Sequence, residues 1–151
     1  MRYNKQTILH DPEHGQYGDC LRTALSCLLN MDQEEVPHFC ATNPTSEDLW
    51  PAINAWLAET CHLVVYSVAY DCSLEQILTM QQIMNPGLYY LLAGKSPRGC
   101  THQVVACGDQ IIHDPAPEGG GLIGPCVEDG FYWVSVLVSA CHLSRKDSQL
   151  G

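Results

Sequence analysis

The chain has 151 residues, 46% of them apolar, and seventeen acidic against seven basic side chains give it a formal charge of −10. That length and composition suit a single domain with a core of its own. The acidic balance argues against nucleic acid and anionic membrane surfaces as partners, since both are bound through cationic side chains. No apolar run approaches the roughly 18 residues of a membrane span.

The opening Met1-Arg2-Tyr3-Asn4-Lys5-Gln6-Thr7 leads only into the short apolar pair Ile8-Leu9, so no export signal is expected. Nine cysteines, at 20, 27, 40, 61, 72, 100, 107, 126 and 141, show no repeated spacing and no Cys-x-x-Cys. Most sit among apolar neighbours, where a reduced thiol behaves as a small hydrophobe. The expectation is a reducing, cytoplasmic compartment and no disulfide framework.

The first regular element is predicted to begin at Cys20. Leu21, Ala24, Leu25 and Leu28 recur at helical spacing through Leu29, and Gly18-Asp19 supplies a turn and an N-cap. A short turn, Asp32 to Val36, ends at Pro37. A second helix is expected from Glu47 to Glu59, capped by Thr45 or Ser46, with Pro51 tolerated near its start. Cys61 to Tyr70, rich in β-branched and aromatic residues, reads as a strand. Leu74 to Ile83 reads as a third helix, closed by Asn85-Pro86-Gly87. The remainder reads as strands at Leu88–Ala93, His102–Ala106, Gln110–His113 and Phe131–Val138, punctuated by Gly and Pro. Helices followed by a mostly antiparallel sheet predict an α+β fold.

Three positions are chemically loaded: Cys20 at a helix start, His102 at the start of a strand, and Asp114 at the end of the next one. A cysteine attacks as thiolate, which helix-start amides and a neighbouring imidazolium both stabilise. Its base must lie within hydrogen-bond reach and be oriented by a third group. Hairpin arithmetic tests whether His102 and Asp114 can meet. A three-residue loop at Cys107-Gly108-Asp109 sets them opposite each other on one face. A two-residue loop at Gly108-Asp109 pairs Asp114 with Gln103 and turns it to the other face. The pairing therefore requires the longer loop or a bulge.

Gly18-Asp19-Cys20-x-x-x-Ala24-Leu25-x-x-Leu28-Leu29, then Thr101-His102-Gln103-Val104-Val105, then His113-Asp114-Pro115, resembles the papain-like cysteine peptidase clan. The likeness is greatest to bacteriocin-processing, C39-like peptidase domains. Small uncharacterised phage and bacterial proteins with Val-Pro-His-Phe (here Val36-Pro37-His38-Phe39) and His-Asp-Pro are also similar. The resemblance implies a papain-like domain spanning 1–151, with N-terminal helices packed on the sheet. It further implies Cys20 as nucleophile, His102 as general base and acid, and Asp114 as orienter. Such enzymes cut a peptide, isopeptide or related amide through a thioester, or transfer its acyl group, and need no cofactor. The oxyanion is held by the cysteine's backbone amide and by a glutamine about six residues upstream, a donor worth about 10²–10³ in rate. Position 14 here is His14, and Gln16 is the nearest glutamine, so Gln16 is the first candidate and His14 a substitute. A different class of function is a catalytically inactive binding module on the same scaffold, such as a phage-encoded protein capturing a host factor.

Plainer roles are open for other residues. Cys27, Cys61, Cys107 and Cys141 read as small hydrophobes. His113 is out of phase with Asp114 and reads as packing or groove lining, and His38, His62 and His142 read as surface or interface residues. Asp19 reads as an N-cap whose charge would oppose a thiolate. Cys100, His102, Cys107 and His113 invite zinc only loosely, because their spacing matches no paired knuckle. Pro115 to Gly121 and Ser96 to Gly99 read as loops bordering the site. Trp50, Trp56 and Trp133 read as core or groove-wall residues.

Overall fold

A computed structural model describes residues 1–140. Cys141 and His142, assigned above from sequence, lie outside the described residues. The described chain holds four α-helices and five strands: α1 (Cys20–Leu29), α2 (Phe39–Thr42), α3 (Ser46–Cys61), β1 (Leu63–Tyr70), α4 (Leu74–Met84), β2 (Tyr89–Lys95), β3 (Thr101–Cys107), β4 (Gln110–His113) and β5 (Tyr132–Ser139). The strands form one antiparallel sheet in the order β1-β5-β2-β3-β4, so the fold is α+β as the element order predicts. Among the described residues no helix is long and apolar enough to cross a membrane.

Strand alternation divides the apolar side chains between two cores. On one face Leu91 and Val105 pack with Leu21, Ala24, Leu25 and Cys27 of α1, Phe39 of α2, and Ile53 and Leu57 of α3. On the other, Tyr90, Leu92, Val104 and Ala106 pack with Ile77 of α4, Tyr132, Val134 and Leu122. Leu25, Ile53 and Leu57 are fully buried, each contributing about 1.5–3 kcal/mol relative to exposure. Trp50 and Trp56 pack against the first core, Trp56 edge-on to Phe39 at 5.8 Å. Trp133 instead donates its indole N–H to Asp129 Oδ2 at 2.7 Å.

Several boundaries differ from the sequence reading for local reasons. α3 runs through Cys61, two residues past Glu59, and is stopped by His62 in the left-handed region at φ 56°. The strand expected from Cys61 therefore starts at Leu63. Thr45 holds the N-cap position of α3, but its hydroxyl donates to Asp48 Oδ2 and caps no backbone amide. The turn α2 after Pro37 was not expected; four residues are too few for a periodic signal.

Candidate active site

α1 begins at Cys20, and the preceding chain is held closely around it. Gly18 allows a close approach: a Cβ there would lie 3.0 Å from the His10 backbone nitrogen. The Tyr17 carbonyl accepts from His38 Nε2 at 2.9 Å. His38, read from sequence as a surface or interface residue without a partner pattern, is half-buried and braces the segment entering Cys20.

Asp19 departs furthest from expectation. It occupies the N-cap position but caps nothing with its side chain. Its carboxylate points back into the protein and is wholly buried. There it accepts from Thr7 N (3.0 Å), Ile8 N (2.9 Å), Thr7 Oγ1 (2.9 Å) and Gln33 Nε2 (2.9 Å). The N-cap reading assumed a local partner; long-range donors outcompeted it.

His102 is the second residue of β3, buried to 2% exposure. Its Nε2 lies 2.7 Å from Asp114 Oδ1. The register that permits this pair is neither of the two simple hairpins. The turn is the two-residue Gly108-Asp109, with Cys107 opposite Gln110 and Ala106 opposite Ile111, and Gly108 takes φ 57°. A bulge then leaves Ile112 unpaired, so that Val105 opposes His113. Continuing that register sets Asp114 level with Val104, which shares a face with His102. The bulge thus restores the phase that the short turn removes.

The carboxylate is fixed from both sides. Asp114 Oδ1 also accepts from Ala116 N at 2.9 Å, and Oδ2 from Gly121 N at 2.8 Å. The Pro115–Gly121 segment is thus a wrap that holds Asp114 by its own amides. Against the cost of burial, the bonds from His102 and these amides hold the Asp114 carboxyl down at about 2. Burial also works against the His102 imidazolium, but hydrogen bonds with Asp114 and Cys20, and the charges of both, raise it to about 9. Asp114 occupies Nε2, which leaves Nδ1 as the nitrogen available to the half-buried Cys20 thiol. The structure thus bonds His102 to Asp114 and sets the Cys20 thiol near enough to the imidazole to raise its pKa.

Gln16 and His14 are not part of this arrangement. Both lie on an exposed hairpin closed by an Asp11–Gln16 bridge. Gln16 Nε2 donates to the Leu9 carbonyl at 2.7 Å, and His14 Nδ1 bonds Asp11 Oδ2 at 2.7 Å. The hairpin leaves the body after Ile8 and returns where Asp19 N donates to the Ile8 carbonyl at 3.1 Å. Residues just before it are therefore close to Cys20 in space though distant in sequence. Among them is Gln6, 7% exposed, whose backbone N–H donates to the Pro115 carbonyl at 2.8 Å. Its Nε2 donates to the Ile8 carbonyl at 2.8 Å. An amide nitrogen carries two hydrogens, so a second donor remains. Sequence reasoning overlooked Gln6 because the hairpin lies between it and Cys20.

His113 points away from His102, as the alternation predicts. Its Nε2 donates to the Asn4 carbonyl at 2.7 Å, Tyr3 meets its ring edge-on at 5.4 Å, and burial lowers its pKa. Among the described residues no three metal-ligating side chains converge, and the eight described cysteines are free thiols. The Ser96–Gly99 turn and the glycine wrap meet each other: a Cβ on Gly120 would lie 2.9 Å from Pro97. Comparison of the chain with protein-family models, curated proteins and solved structures found no match.

Proposed function

We propose that the chain is a papain-like thiol enzyme that breaks a peptide, isopeptide or related amide by acyl transfer. The observation that carries this reading is that one buried imidazole is shared between the helix-start thiol of Cys20 and the amide-clamped carboxylate of Asp114. A histidine satisfied only for packing needs no such pair of partners.

In this reading Cys20 Sγ bonds to the substrate carbonyl carbon, and the oxyanion is held by the Cys20 backbone N–H and a glutamine amide. The C–N bond then breaks, and the His102 imidazolium gives its proton to the leaving amine. His102 next takes a proton from water or a second amine, which attacks the thioester and releases the Cys20 thiolate. Hydrolysis and transfer differ only in that second nucleophile. We assign the glutamine role to Gln6 rather than Gln16, because Gln6 is buried beside the Asp114 wrap and the Asp19 turn whereas Gln16 is exposed and bonded to Leu9.

The test is the alkylation rate of each thiol by iodoacetamide at about pH 6.5, read by mass spectrometry, where a free thiol is almost wholly protonated. Cys20 is expected to react at least about tenfold faster than the other cysteines and to lose this advantage in His102→Ala. If Cys20 reacts like the others in both proteins, the site is not a thiolate–imidazolium pair, and the inactive binding module becomes the better reading.

A further inference from the structure

Residues 1–8 contain no helix or strand, yet they join the two halves of the site. On the acid side, Lys5 Nζ donates to the carbonyls of Asp114 (2.8 Å) and Ala116 (3.0 Å), and Gln6 N to that of Pro115. On the nucleophile side, Thr7 and Ile8 are held by the Asp19 carboxylate and by the Asp19 N–H. Gln33 backs this clasp, its Nε2 donating both to Asp19 Oδ2 and to Thr23 Oγ1, while Thr23 Oγ1 donates to the Asp19 carbonyl.

A wholly buried carboxylate is costly unless its lone pairs are met, and here neutral donors alone meet them. No cation forms an ion pair with Asp19 among the described residues. As a charge, moreover, Asp19 stands beside Cys20 and works against a thiolate there. Its contribution to the site is therefore geometric. We infer that Asp19 is a positioning residue: by clasping Thr7 and Ile8 it makes the N-terminal segment a strap that sets the Cys20 helix start against the Asp114 wrap.

This inference rests on the acyl-transfer reading, and the sign of one effect tests it separately. Iodoacetamide alkylation of Cys20 at about pH 6.5 is compared in wild type, Asp19→Asn, His102→Ala and the double variant. If Asp19 acted only as a nearby charge, Asp19→Asn would make Cys20 faster. Positioning predicts a fall of about tenfold, because misplacing a reacting group by a fraction of an ångström is enough to cost that much. It also predicts that Asp19→Asn changes nothing further in the His102→Ala background, since the effect passes through the pair. Should Asp19→Asn fail to fold by circular dichroism, Thr7→Val removes only the hydroxyl bond to Asp19 and is expected to lower the rate about threefold. A rise or no change in the folded variant overturns the strap. An unchanged Cys20 rate in His102→Ala overturns the acyl-transfer reading instead, and with it the pair that Asp19 serves.

Discussion

Replacing Asp114 by Asn leaves the shape of the site nearly intact and removes one charge from its centre. In the native chain the carboxyl is held at about 2 against an ordinary 3.8. At about 1.4 kcal/mol per unit, the bonds it accepts favour its charged form by about 2 kcal/mol. The imidazole shift, from 6.5 to about 9, is larger because Cys20 also contributes to it. The carboxylate value is the better measure of what Asp114 supplies, although the amides of Ala116 and Gly121 share in it. The His102 pKa in Asp114→Asn is therefore expected to fall by at least about one unit. The assay is the titration of the His102 Hε1 proton by NMR in wild type and variant, with Cys20 alkylation followed in parallel. Alkylation at about pH 8.5 is expected to slow about threefold, as the fraction of the imidazolium that stabilises the thiolate falls from about three quarters to about one quarter. An unchanged His102 titration would mean that the 2.7 Å contact carries no electrostatic weight, and the assignment of Asp114 as orienter would fail.

The oxyanion assignment separates two glutamines. Acylation of Cys20 by p-nitrophenyl acetate passes through a tetrahedral oxyanion, whereas alkylation does not. Gln6→Ala is expected to slow acylation about a hundredfold and leave alkylation unchanged, while Gln16→Ala affects neither; the reverse pattern would return the role to Gln16. The pair also makes stability depend on pH. His102 has a raised pKa, so its contribution is complete below 6.5 and is lost as pH rises through about 9. Asp114 has a lowered one, so its contribution is complete above 3.8 and is lost as pH falls through about 2. The difference in Tm between wild type and Asp114→Asn should accordingly be greatest between pH 4 and 6.5 and shrink toward both extremes; a difference that stays constant with pH would contradict it.

Much of the framework was legible in the residues alone. The helix starting at Cys20 follows from apolar spacing that a 3.6-residue period imposes, and the strands carrying His102 and Asp114 follow from β-branched runs bounded by Gly and Pro. Period-2 alternation separated His113 from Asp114 correctly, because a strand leaves a side chain only two faces. These features are local: they depend on residues within a few positions of one another. What depended on distant partners was decided by the tertiary structure. No local pattern reveals that the two-residue Gly108-Asp109 turn is followed by a bulge at Ile112, since the bulge is stabilised by the contacts it permits, among them His102 with Asp114. Nor does sequence distance show that a ten-residue hairpin excursion, from Leu9 to Gly18, returns to its origin and sets Gln6 beside the site. Asp19 illustrates the limit most clearly. In sequence it is an N-cap before a helix, but in the folded chain Thr7, Ile8 and Gln33 satisfy its carboxylate, and burial against those donors outweighs the local cap.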